Sequence, residues 1–339
     1  MLNAGFDFEF MKGRYGGSIE AFKSNKTQLL TDAIVAGTTG FATVTRNIGE
    51  VQNTGLELQL FGTPINTGKF RMNVNFNATY LKNKIISLSK FGDGELLSIY
   101  SDVSATHVSK VGQPVGSFWG IKATGVDPQT GDMTYEDANK DGKIDLDDGQ
   151  IIGKATPDVF GGLNFNFVLK NVDLSIANQF SFGNQVYNFN RYFFGNTGWS
   201  DGGWATNSKT GVLELNQIFA NPTTEVNKRW QKPGDITTVP RASLINQTYK
   251  ETNSALLENG SFWRIRTLNL GYTLRPQTAK WYNQMRFFAQ VQNPFIFTKY
   301  SWFDPEVSTT GGGEPKTAGA DYATYPQART YSIGVNATF

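Results

Sequence analysis

The stretch Phe70-Arg71-Met72-Asn73-Val74-Asn75-Phe76-Asn77-Ala78-Thr79-Tyr80 decides the fold. Phe70, Met72, Val74, Phe76, Ala78 and Tyr80 alternate with Arg71, Asn73, Asn75, Asn77 and Thr79. Successive side chains of a strand point to opposite faces, so a period of two gives one apolar and one polar face. The pattern recurs along the whole chain. Ala4, Phe6, Phe8 and Phe10 share a face against Asp7 and Glu9. Ser18–Thr27 follows more weakly, and Leu56, Leu58 and Leu60 alternate with Glu57 and Gln59. Val159–Leu169, Val172–Phe182, Phe262–Leu274, Met285–Phe297 and Ala328–Phe339 complete the set. Between them lie a polar, Gly- and Thr-rich stretch to about Asn47, a long mixed segment Lys82–Asp158 and an irregular one at Gly183–Gly260. The reading is an all-β protein.

Composition narrows the chemistry. The 339 residues are 14% aromatic and include 36 glycines, with a mean hydropathy of −0.35. Many aromatics beside many polar residues suit two-faced strands better than a helical bundle. No cysteine is present, which excludes disulfides and thiolate metal sites. The single histidine, His107, rules out histidine metal clusters and argues against triad chemistry; it reads as an ordinary loop residue. A net charge of +2 supports no nucleic-acid reading. No apolar run reaches the roughly 18 residues of a membrane helix. The chain enters its first strand without a signal-peptide pattern.

Two architectures bury or cover such faces. A soluble sandwich packs two sheets together, whereas a membrane barrel turns its apolar face to lipid and its polar face to a lumen. The strands are about ten to thirteen residues long, enough for a tilted membrane crossing. Their polar faces are rich in Asn, Gln, Thr, Arg and Lys. Connections alternate short and long, as in outer-membrane barrels with short periplasmic turns and long external loops. Lys12–Gly17, Thr63–Lys69, Lys170-Asn171 and Arg275–Gln284 fall on the short side. Gln28–Asn47, Lys82–Asp158, Gly183–Gly260 and Ser301–Gln327 fall on the long side. Tyr331, Ile333, Val335, Ala337 and Phe339 alternate to a terminal aromatic, resembling the signature read by the outer-membrane assembly machinery. The parity gives about nine strands, or about eleven if the Gly116–Gly120 region adds a pair. An odd count makes the first strand run towards the periplasm. The expectation is therefore the C-terminal part of a larger transmembrane antiparallel β-barrel in the outer membrane of a Gram-negative-type cell.

The acidic stretch Asp137–Asp148 (DANKDGKIDLDD) fits a calcium-loop template. Asp137, Asn139, Asp141, Lys143 (through its carbonyl), Asp145 and Asp148 occupy positions 1, 3, 5, 7, 9 and 12, with Gly142 at the sharp turn. Position 12 is Asp where Glu is usual, and extended flanks replace the two helices of an EF-hand. The competing reading is a polar hairpin tip rich in turn formers. If an ion binds, its expected role is static: to pin an external loop that performs no chemistry.

Other candidates lie on the long loops. Tyr192, Phe193, Trp199, Trp204 and Trp230, with Phe194, could stack on sugars or meet a partner; the plainer reading is that they fold the loop or form an aromatic girdle. Arg264 and Arg266 share a face with Phe262, Leu268 and Leu270 by simple alternation, which places them at the external rim above lipid. Arg229 and Arg241 read as partners in loop salt bridges. Gly311, Gly312 and Gly313 lack the strand-to-helix context of a phosphate loop. No carboxylate pair flanks a scissile bond, so no catalytic residue is assigned.

Several stretches resemble the SusC/RagA family of TonB-dependent outer-membrane transporters. They are 47–60 (NIGEVQNTGLELQL), 111–126 (VGQPVGSFWGIKATGV), the calcium-loop region with its flanks, 228–241 (KRWQKPGDITTVPR), 256–274 (LLENGSFWRIRTLNLGYTL), 293–307 (NPFIFTKYSWFDPEV) and the C-terminal strand. The resemblance implies a barrel of about 22 strands around an N-terminal plug. It also implies a TonB box, a SusD-like surface lipoprotein as lid, and an oligosaccharide or peptide substrate. Plug, TonB box and first barrel half have no counterpart in the sequence. A passive channel or adhesin-like barrel and a secreted carbohydrate-binding sandwich are the other readings.

Overall fold

The computed structural model describes residues 1–34, 43–88, 94–97, 106–194, 204–206, 213–215, 223–242, 252–276, 281–307 and 318–339. Nine strands form one sheet: β1 (Leu2–Phe10), β2 (Tyr15–Ile34), β3 (Thr43–Asn66), β4 (Phe70–Ser87), β5 (Val159–Leu169), β6 (Val172–Phe182), β7 (Phe262–Leu274), β8 (Gln284–Thr298) and β9 (Thr330–Thr338). Their spatial order is their sequence order. Every pairing is antiparallel. This up-and-down meander is the all-β barrel wall that the alternation implied. No helix among the described residues is long and apolar enough to cross a membrane.

Register makes the faces continuous. On one row Phe8, Gly17, Leu60, Phe76 and Leu163 stand opposite one another across five strands. Further on, Leu174, Leu270, Ala289 and Ile333 do the same. These side chains have no second layer over them: Phe6 is 68% exposed and Ile333 89%. So extensive an apolar face in water is unfavourable, whereas in lipid it is the ordinary surface of a barrel.

Two expectations change. β2 and β3 pair as far as Ile34 and Thr43, where the sequence suggested an irregular loop from Gln28 to Asn47. Thr31, Thr43, Val44 and Thr45 are good strand formers, and the hairpin ladder continues where amphipathic alternation stops. Likewise β4 runs past Lys82 to Ser87. The Gly116–Gly120 region adds no crossing. Ser117–Gly120 belongs to a separate four-stranded sheet with Gln150–Lys154, His107–Lys110 and Gly94–Leu97. The main sheet therefore has nine strands and not eleven.

The long connections pack into a cap at one end of the sheet. Gln185–Asn188 pairs antiparallel with Leu257–Asn259 of the same connection and parallel with Ala320–Asp321 of the connection after β8, joining two connections. Phe118, Tyr187, Phe189, Leu256 and Ala320 form its buried core. The sheet takes its shape from lipid-facing alternation, whereas the cap has a core like that of a water-soluble domain.

Candidate functional site

The polar face of the sheet is wired by hydrogen bonds between strands. Asn83 donates to Asn53 at 2.6 Å and Ser175 to Asn166 at 2.7 Å. Arg286 reaches across β7 to Asp173 at 2.5 Å. Gly271 makes room for that bridge, because a Cβ there would lie 2.3 Å from the guanidinium. Near the first strands a groove of about 390 Å³ is lined by Asp7, Glu9, Ser18, Gln59 and Phe61. Such a face is suited to water and polar solutes.

A cluster of two arginines and two carboxylates lies where this face meets the cap. Between Ile265 and Thr267 the β6–β7 and β7–β8 registers both shift, leaving Arg266 as a bulge. Above it the phase of β7 inverts. Arg264 then stands opposite Gln179 on the polar face, and Trp263 opposite Phe180 on the apolar one. The expectation that Arg264 and Arg266 lie above lipid is thereby corrected; a one-residue bulge flips every side chain beyond it. Arg264 bonds Asp304 at 2.5 Å and lies 2.9 Å from Glu306. Arg266 bridges Glu306 and donates to Gln179 at 2.6 Å. Asp304 also accepts from the backbone of Gln327 at 3.2 Å. Two arginines of the wall thus hold the loop after β8.

His107 is also corrected. It is fully buried, stacked 4.7 Å from Phe118, and bonded through Nε2 to the carbonyl of Ala318 at 2.9 Å. An Nε2–H donor leaves Nδ1 to accept from the Thr106 hydroxyl at 3.0 Å. Burial pushes its pKa down to about 4 although the Ala318 carbonyl opposes this. It therefore ties two connections together as a neutral imidazole. Within the connection after β8, Tyr300 donates to Asp321 at 2.6 Å; burial and that carboxylate push its pKa far up.

The acidic loop is closed by its own carboxylates. Asp137 accepts from Lys140 at 2.6 Å and Gly142 at 2.9 Å. Asn139 accepts from Asp141, and Asp141 from Lys143. Asp145 caps the 3-10 turn Leu146–Asp148. Asp148 is fully buried and accepts from Asp145, Asn139 and Ala138; the Asp145 N–H, then the other two, hold its carboxyl below the usual range against the effect of burial. Gly142 has φ of +81°, which the sharp turn requires. Among the described residues no group of three or more acidic or histidine side chains is arranged to hold a metal ion.

Comparison with known proteins places these features. A curated relative, TonB-dependent receptor SusC of Bacteroides thetaiotaomicron, is 30% identical over 99% of this chain and 31% of its own length. The chain is homologous to the SusC/RagA-type TonB-dependent receptors. TonB-dependent receptor P3 of Formosa agariphila is 27% identical over the whole chain and 34% of its own length. The chain thus spans about a third of the curated relatives it matches. Two solved structures share its fold over 99% of the chain at 21% identity, the RagAB peptide transporter with a TM-score of 0.76 and the RagAB peptide importer in an open-open state with 0.77. No family model matches. These homologues are outer-membrane receptors and transporters, so the sheet spans the outer membrane with its apolar face in lipid.

The aromatic candidates of this SusC-like chain separate. Tyr192 lies in the helix Phe189–Phe194 and packs against the cap core; Phe193 is in the same helix. Trp204 opens the short strand Trp204–Thr206, and Trp199 lies outside the described residues. Trp230 donates to Pro128 at 2.8 Å and covers Gly131, where a Cβ would come within 2.5 Å of the indole. Arg241 forms the expected loop bridge, to Asp132 at 2.7 Å. The residues whose surroundings the sequence misplaced were those of the Arg264 cluster and His107. Their partners Asp304, Glu306 and Ala318 are contributed by a different connection, and no local spacing signals that.

Proposed function

We propose that this chain is the C-terminal wall and external cap of an energised outer-membrane importer for oligosaccharides or peptides. The observation that carries this is the pairing of a lipid-exposed apolar face with a hydrogen-bonded polar face beneath a packed cap, in a homologue of TonB-dependent receptors. Such an importer needs a plug, a TonB box and further strands, and the curated relatives, about three times as long as this chain, have room for them. Two of the structural neighbours are a peptide transporter and a peptide importer, which supports the peptide side. The cap is the surface on which a SusD-like lipoprotein would seat. In cells carrying the whole gene, deletion should abolish uptake of labelled oligosaccharides or of labelled peptides. Collapse of the proton gradient should do the same. Uptake that survives the collapse would make the protein a passive channel.

A calcium ion on Asp137–Asp148 belongs to the same proposal. Asp137, Asn139, Asp141, the Lys143 carbonyl and Asp145 retain lone pairs beside their backbone bonds, and Asp148 anchors the loop from within. Calcium should raise the melting temperature of the intact protein, and Asp141→Ala with Asp145→Ala should remove that rise. No shift with calcium in the unmutated protein would end this part of the reading.

A further inference from the structure

A row of lysines stands on the lipid side of the sheet just beyond its apolar band. Register sets Lys23 opposite Thr54, and Thr54 opposite Lys82, so both lysines share the apolar face. Lys84 is one step further, opposite Gln52. Lys23 follows Ala21 by two residues, Lys82 follows Tyr80, and Lys299 follows Phe297. All four lysines are exposed. Lys154 joins them from the cap, and with Tyr80, Lys82, Lys84, Thr156 and Asp158 it lines a pocket of about 160 Å³.

Depth fixes what this pocket meets. From Phe70 to Tyr80 is about 34 Å along β4, or about 26 Å of height at a tilt of about 40°, which matches an apolar band about 25 Å tall. Lys82 therefore lies about 5 Å outside the band on the side of the long connections, at the level of lipid head groups. The rim beneath is aromatic, with Tyr80, Phe182, Phe295 and Phe297 exposed. Two carboxylates are near. Asp158 bridges Lys154, and Glu50 sits further from the membrane, where Asn25 donates to it. Among the described residues neither forms an ion pair with Lys82 or Lys84. On the polar face at this height stand Asn53 and Asn83 instead. The positive charge is thus on the membrane side.

We propose that Lys82, Lys84 and Lys154 form a binding site for the phosphate group of a lipid in the external leaflet. The acyl chains would run down past Tyr80, and Lys23 and Lys299 would extend the attraction along the rim. The site requires only that the sheet span the outer membrane; it is independent of transport.

The test uses the intact protein purified in neutral detergent, with short-chain phosphatidic acid as probe and native mass spectrometry as readout. Lys82→Gln with Lys84→Gln should weaken binding roughly tenfold or more, since each lysine near an anionic membrane surface contributes about 1 kcal/mol. Lys82→Arg with Lys84→Arg should retain it. Inorganic phosphate should not compete. Unchanged affinity in the glutamine variant, or displacement by inorganic phosphate at equal concentration, overturns the proposal. If the double variant does not assemble, as judged by heat-modifiable gel mobility, Lys84→Gln alone is read by the same criterion.

Discussion

Arg264 and Asp304 are each about 95% buried, and both sit between wall and cap. Removing one partner of a buried pair leaves an uncompensated charge, at a cost of about 3–5 kcal/mol. Asp304→Ala should lower thermal stability in detergent by that amount, while Arg264→Met with Asp304→Leu should recover much of it; a single variant within about 1 kcal/mol of the parent would show that the pair is not a tether. His107 carries a pH dependence. Its folded pKa of about 4 lies below the ordinary 6.5, so the unfolded chain binds the extra proton between those values. Stability is therefore full above pH 6.5 and falls as pH drops towards 4, by at most about 3 kcal/mol. The lowered carboxyl of Asp148 acts in the same direction only at more acidic pH, below its ordinary value. Melting curves between pH 7 and 4 should show the loss, and His107→Gln should flatten it. The sequence offered His107 only as a lone polar residue in a loop. Its importance comes from Ala318, which is 211 positions away, and sequence-local reasoning does not reach that far.

At the scale of elements, strand identity was readable because lipid on one side and water on the other force a period of two. Each of the nine main strands carries it over part of its length, and the turns at Met11–Arg14 and Lys170-Asn171 fall where the alternation breaks. The bulge at Arg266 was not readable. Counting by twos assumes a constant phase, and Phe262, Arg264, Leu268 and Leu270 keep that count while the backbone slips by one. Deleting Arg266 removes only the extra residue: Ile265 stays opposite Asn178 and Thr267 opposite Ala177, so Arg264 keeps its place opposite Gln179 on the polar face. The deletion variant should therefore show the heat-modifiable assembled band with the Arg264–Asp304 pair in place, losing only the contacts of Arg266 with Glu306 and Gln179. Loss of the assembled band would mean that the bulged residue itself is required for the wall to carry the cap. The cap lay beyond sequence reasoning for a related reason. Its strands are two to five residues long, too short for periodicity to show, and they pair with partners far along the chain or, for Gln185–Asn188 and Ala320–Asp321, in a separate connection.

At the scale of the molecule, the nine-stranded sheet is open. β1 pairs only with β2, and β9 only with β8 among the described residues. Each outer edge presents a row of backbone N–H and C=O groups, and each group left unsatisfied in hydrocarbon costs several kcal/mol. Satisfying them requires more strands from the same protein or a second copy of the sheet. The odd number of strands bears on the choice. Short turns on one side and long connections on the other place the start of β1 and the end of β9 at opposite membrane surfaces. The curated relatives are about three times as long as this chain, which is room for further strands of the same wall. The chain alone, refolded into lipid vesicles, should therefore form oligomers or protease-sensitive aggregates with no monomeric heat-modifiable band. Co-refolding with the rest of its own gene product should yield one band of the combined mass, resistant to protease. A monomeric, protease-resistant species from this chain alone would mean that β1 and β9 can pair to close a nine-stranded barrel, and the larger barrel would then be unnecessary.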